Sequence, residues 1–164
     1  MEKQDNCEQS IDTFKHKYKT LKEKYNLPEL KQLDEEFDII SKIECNAEII
    51  LREIRKAIIV KFASVLNFIE LLLNPTSGSM FHMYLVKGVN GIEKDVRELF
   101  TILGEIEIDS IELEINYNEN KEAEFIKDKF ELWQKIKPKL EKITASLKLN
   151  WKSTAIKKER SYFG

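Results

Sequence analysis

The sequence predicts an all-α protein, an antiparallel helical bundle of four long helices plus one short helix with coiled-coil-like packing. Two observations carry that expectation. Apolar residues recur at alternating three- and four-residue spacing in three separate stretches, and such a stripe lies on one side of an α-helix and needs an apolar surface opposite it. Helix breakers are scarce, with 5 Gly and 3 Pro in 164 residues, and 34% of the chain is charged, which suits long helices with solvated outer faces. The length predicts a single bundle domain over 1–150 with a real core, followed by a basic, frayed C-terminal tail over 151–164.

The first stripe, Cys7, Ile11, Phe14, Tyr18, Leu21 and Tyr25, predicts a helix over about residues 8–25. Asn26-Leu27-Pro28 turns the chain, and Pro28 suits the first position of a new helix because its missing N–H needs no partner there. A second helix is expected from near Glu29 to Leu73, with a break near Asp38 permitted but not required. In its first half Ile39, Ile40, Ile43, Ala47, Ile50, Leu51, Ile54 and Ile58 share one arc, opposed by Ser41, Glu44, Glu48, Arg52 and Arg55. After Ile58 the opposite arc turns apolar as well, with Ile59, Phe62, Leu66 and Leu73. Only Lys61, Ser64, Asn67 and Asn74 keep a polar strip, so this half is expected to be surrounded on most sides.

Asn74 to Ser79 reads as a loop because Pro75 cannot continue the helix. Ser79 is placed to cap a short helix from Met80 to Lys87, and Gly88-Val89-Asn90-Gly91 stops it. The second stripe runs Ile92, Val96, Leu99, Leu103, Ile106, Ser110, Leu113 and Tyr117. Ile111, Leu113, Ile115 and Tyr117 alternate like a strand, but the longer helical match outweighs them and predicts a helix over 92–117. The third stripe spaces Ile126, Trp133, Leu140 and Leu147 by sevens, with Ile136 and Ile143 between them, and predicts a helix over about 121–150. Pro138 lies inside it, on the side away from Trp133 and Leu140, and should kink it. Periodicity is lost from Trp151 onward.

Composition and motifs exclude more functions than they suggest. A net charge of −2 gives no bulk field for polyanions. The chain uses 23 Lys against 4 Arg and holds 20 Ile, consistent with an AT-rich coding bias or a hot-growing source. Cys7 and Cys45 stand far apart and read as small apolar residues. The polar start carries no secretion signal, which points to the cytosol, where thiols stay reduced. The run Ala57 to Leu73 is interrupted by Lys61, Ser64, Asn67 and Glu70 and is short for a bilayer span.

Glu105, Glu107, Asp109, Glu112 and Glu114 form a dense carboxylate run. No Glu-x-x-His accompanies it and no EF-hand spacing is present, so it reads as a solvated face and no metal or cofactor is expected. Ser77, Ser79 and His82 lie close in sequence but lack a G-x-S-x-G, and they read as a capped loop. Gly88-x-x-Gly91 lacks the Lys of a phosphate loop. No catalytic function is expected.

Three features remain as candidates for binding. Arg52 and Arg55 sit one turn apart in a chain that otherwise prefers Lys, and a guanidinium offers a planar fork that Lys cannot copy. They are either a binding patch or structural salt bridges, with Glu48–Arg52 the obvious i,i+4 pair. Charge is lopsided: 93–131 holds 13 acidic and 5 basic residues, a net of −8, whereas 139–164 holds 7 basic and 2 acidic, a net of +5. In that tail Lys148, Lys152, Lys157, Lys158 and Arg160 mix with the aromatics Trp151, Tyr162 and Phe163. The mixture either stacks on single-stranded bases or anchors on the acidic helix of the same or another copy. The protein contact is favoured, because the acidic surface is already present.

Several stretches resemble small archaeal all-helical proteins of no known activity. They are Leu30-x-x-Leu33-Asp34-x-Glu36-Phe37-Asp38-Ile39, Leu51-Arg52-Glu53-Ile54-Arg55, Asn74-Pro75, and Glu122-Ala123-Glu124-Phe125-Ile126 followed by Trp133. The resemblance spans about 30–135 and implies an archaeal source but no activity. The expected role is a non-catalytic protein–protein interaction or scaffold module, partnered by itself or by another helical protein. The alternative is weak, sequence-indifferent nucleic-acid binding through the tail.

Overall fold

A computed structural model describes the backbone of residues 2–43, 49–74, 85 and 91–161, and the side-chain surroundings of 11–43, 49–74, 85 and 91–152. Six helices occur among the described residues: α1 Glu2–Tyr25, α2 Leu30–Phe37, α3 Ile39–Lys42, α4 Ile50–Leu73, α5 Glu93–Ile115 and α6 Glu119–Ser161. The described residues contain no strand, so the stretch 106–117 resolves as helix to Ile115. The short helix expected over Met80–Lys87 lies outside the described residues apart from Leu85, as do Cys45, Glu48, Ser77, Ser79 and His82.

The expected second helix is divided, and the cause is local. Asp38 takes the left-handed conformation at φ 57°, and Ile43 is extended. Asp34 supports the break twice: its carbonyl accepts from Asp38 N–H at 2.8 Å and its carboxylate accepts from Ile40 N–H at 2.7 Å. A short acidic side chain that bonds the backbone competes with the helical ladder, and Asp tolerates left-handed geometry better than most residues. Asn26, at φ 54°, ends α1 in the same way, and α2 begins at Leu30, two residues after Pro28. Tyr18 Oη donates to the Pro28 carbonyl at 2.7 Å and fixes that turn.

The chain divides into two compact units. The first comprises 1–62 and 106–132. Its core holds Tyr18, Leu33, Phe37, Ile39, Ile54, Ile58, Phe62 and Ile126, each almost fully buried. Phe37 sits at its centre, with ring centroids 6.1 Å from Phe62 and 6.5 Å from Phe130. Burying an apolar side chain of this size contributes roughly 1.5–3 kcal/mol. Outside that core Lys129 pairs with Asp109 at 2.7 Å, Lys121 with Glu112 at 3.2 Å and Lys24 with Glu119 at 2.9 Å.

The second unit comprises 63–105 and 133–164. Its interior is built from Ile69, Leu72, Leu85, Val96, Leu99, Leu103, Trp133, Ile136, Ile143 and Leu147. Lys139 pairs with Glu98 at 2.6 Å and Lys142 with Asp95 at 3.1 Å.

Seven of the eight residues of the second stripe, Ile92 to Leu113, are buried, and only Tyr117 is exposed. The third stripe is buried except for a half-buried Leu140. After Ile58, α4 is covered less completely than the expectation of being surrounded on most sides. Phe62, Ile69 and Leu72 are buried, but Ile59, Leu66 and Leu73 are half-covered and Val60 is 55% exposed. An apolar face on a sequence shows only that burial would be favourable, and folded proteins leave much apolar surface in water. The tail is also corrected. Instead of fraying at Asn150, α6 runs to Ser161, because no Gly or Pro interrupts 150–161 and Lys, Ala and Glu favour helix. Pro138 lies within α6 and is exposed, on the outer side as expected.

Candidate functional site

Of the two arginines singled out in α4, one is inside the protein. Arg55 is 2% exposed and its guanidinium is held by acceptors on two helices, α5 and α6. Nε donates to Glu122 Oε2 at 2.9 Å. Nη1 donates to the Ser110 carbonyl at 3.1 Å and to Ser110 Oγ at 2.7 Å, and Nη2 donates to Glu114 Oε2 at 2.6 Å. The expectation that Arg55 faces away from the core is therefore corrected. The planar fork that suggested a binding patch is spent on internal acceptors. Ser110 explains itself at the same time: it is the polar member of the second stripe because it accepts from Arg55.

Glu122 is fully buried near the start of α6. Asn118 caps that start, its Oδ1 accepting from Lys121 N–H at 3.1 Å. Arg55 reaches only Oε2, and Oε1 has no hydrogen-bond partner; burial pushes the Glu122 carboxyl upward and the Arg55 guanidinium only partly offsets it. Glu114 is half in solvent, and its hydrogen bond from Arg55 draws its carboxyl downward. Arg52 is half-buried with its guanidinium carbon 5.0 Å from the Tyr117 ring centroid, and its Nε has no hydrogen-bond partner. Its expected partner Glu48 lies outside the described residues.

A surface missed in the sequence occupies the outside of α5. Ile108, Ile111 and Ile115 are 67%, 57% and 73% exposed. Their spacing of three and four places them on one stripe, which continues N-terminally through Gly104 and Thr101. In heptad terms these five are a and d positions. Around the three isoleucines the flanking e and g positions are Glu105, Glu107, Glu112 and Glu114, and beside Thr101 the g position is Phe100. The carboxylate run read as a solvated face is thus the border of an apolar seam. Glu105 is exposed, and Glu107 is half-buried with Oε1 lacking a partner, so burial raises its carboxyl. The signal was available in the sequence, but the Ile111, Leu113, Ile115 alternation invited a comparison with strand instead of with a second helical face.

In the tail, Trp151 is 42% exposed and Leu149 71% exposed, with Lys148 and Lys152 exposed beside them. Lys157, Lys158 and Arg160 lie on helical backbone, and their side chains fall outside the described set. The structure brings Arg55 together with Glu114 and Glu122.

Among the described residues no group of three or more His, Cys, Asp or Glu is placed to hold a metal ion. A shallow concavity beside Asn67, Glu70, Leu71, Asn74 and Phe100 offers one carboxylate and no oriented base. No described helix is long and apolar enough to cross a membrane. Comparison with protein-family models, curated proteins and solved structures gives no match.

Proposed function

We propose that the chain is a non-catalytic interaction module of the cytosol, an antiparallel bundle of four long helices that docks a helical protein on the outer face of α5. The observation that carries this reading is the exposed Ile108, Ile111 and Ile115 seam with Glu at every flanking position. Exposed contiguous apolar seams of helical period are the usual signature of a helix-binding surface. Covering three Ile side chains contributes roughly 1.5–3 kcal/mol each at full burial. Association costs on the order of 4–15 kcal/mol, so the border charges must also find complements. Support for the antiparallel arrangement comes from the ion pairs within each unit. Along α5 and α6 the partners run Glu112 with Lys121 and Asp109 with Lys129, then Glu98 with Lys139 and Asp95 with Lys142, one number falling as the other rises.

The test replaces Ile111 by a photoreactive benzoylphenylalanine and irradiates the protein in lysate of its source. Discrete adducts at position 111, absent from a control at exposed Lys94, are expected. Adducts no different from the control would remove the reading. The rival reading, nucleic acid along the basic end of α6, predicts salt-sensitive binding of single strands that is lost on deleting 151–164.

A further inference from the structure

The occupant of the α5 seam can be argued from charge. Two α5 helices facing each other would set Glu105, Glu107, Glu112 and Glu114 of one copy against the same residues of the other. Like charges at e and g positions disfavour pairing, and opposite charges choose the partner. The seam therefore asks for a basic amphipathic helix. Glu107 sharpens the demand, because its Oε1 is shielded from water and receives no hydrogen bond.

The chain carries a basic helical segment of its own at its C-terminal end, with Leu149 as its exposed apolar contact. Beyond Leu147, the last buried residue of α6 among those described, Leu149 and Trp151 are exposed between Lys148 and Lys152. Neither lysine has an ion-pair partner among the described residues, unlike Lys139 and Lys142 earlier in the same helix. The sequence then adds Lys157, Lys158 and Arg160 against a single Glu159. We infer that the α5 seam of one copy receives the basic C-terminal end of α6 from a second copy. Ile108, Ile111 and Ile115 cover Leu149, and Glu105 and Glu107, the two bordering carboxylates with no ion pair among the described residues, face the lysines. The contact is heterologous, joining different surfaces, and two copies can exchange it reciprocally. This inference rests on the interaction-module reading and names the partner for the same surface.

Sedimentation velocity on the full chain, over a wide concentration range and at low and high salt, tests it with two variants. Ile111→Glu spoils the seam and leaves the tail. Lys148→Glu with Lys152→Glu spoils the tail and leaves the seam. Both substitute exposed positions, and circular dichroism confirms that each remains helical; Ile111→Ser replaces Ile111→Glu if it does not. The wild-type chain should associate, less so at high salt, and each variant alone should sediment as a monomer. Mixing the two variants should restore a one-to-one complex, because each brings the half that the other lacks. A wild-type chain that stays monomeric at every concentration overturns the inference. So does a tail variant that associates as well as wild type while Ile111→Glu does not, or a mixture that fails to pair. None of these three results touches the photocrosslinking outcome, which judges the interaction-module reading by itself.

Discussion

Helix α5 carries two apolar stripes with opposite fates. The inner one, Ile92 to Leu113, is buried along its length and contains a single polar residue, Ser110, that is matched to Arg55. The outer one, Ile108, Ile111 and Ile115, has the same spacing and the same residue type yet stands in water. The border residues make the difference. Inner-face neighbours reach lysines of α6, as in Asp109–Lys129 and Glu98–Lys139. Two of the outer border's carboxylates, Glu105 and Glu107, have no ion-pair partner among the described residues. A stripe's spacing identifies a helix face, whereas its flanking charges identify what that face can accept.

Four substitutions bear on this contrast, the largest first. Arg55→Leu should cost about 3–5 kcal/mol in urea unfolding, because it strands the Glu122 carboxylate in the interior. The loss should depend on pH. Without that guanidinium the largest opposition to burial is gone and only the weaker pull of Arg52 remains, so the folded-state pKa of Glu122 lies above its unfolded value. Stability tied to the protonated acid is then present below the unfolded carboxylate range and lost as pH rises through the folded value. The variant should come nearest to wild type in acid and fall furthest behind at neutral pH. Adding Glu122→Leu should recover most of the loss at neutral pH, and a double variant no better than the single would show that Glu122 is not the stranded charge.

Leu103→Ala, in the inner stripe, should cost about 2–5 kcal/mol by the same assay, through lost burial and the cavity left behind. Ser110→Ala should cost about 1–3 kcal/mol, since Arg55 Nη1 keeps only the Ser110 carbonyl. Ile111→Ser, on the outer stripe, should change the monomer's stability by no more than about 0.5 kcal/mol. A cost for Ile111→Ser comparable with that for Leu103→Ala would erase the distinction between the two faces.

The inner half of this contrast was legible in the sequence. The phase of Ile92, Val96, Leu99 and Leu103 settled the helix and its buried side, because 3.6-residue periodicity is a property of local order. Asp38 was legible only as a possibility: the break depends on whether Asp34 bonds backbone or solvent, and that is decided by packing around Phe37. Arg55 was recognised as unusual for the right chemical reason and placed on the wrong side, since its acceptors Ser110, Glu114 and Glu122 stand 55 to 67 residues away. Long-range pairing leaves no periodic mark. The outer isoleucines were hidden by their own carboxylate border, which made the segment look hydrophilic.

Pro138 has an energetic meaning for α6. The helix is 43 residues long, about 65 Å at the standard rise. A proline supplies no amide hydrogen, so the Gln134 carbonyl loses its intrahelical donor. That missing rung stands one turn beyond the point where the chain's compact units divide, at Leu132 and Trp133. A helix with a missing rung melts in segments. Opening that starts at Ser161 can spread back toward Pro138 and stop there, while Glu122 and Arg55 remain locked together. The two ends of a single unbroken helix would then keep different clocks, the basic end exchanging its amide protons early and the end that holds Glu122 late.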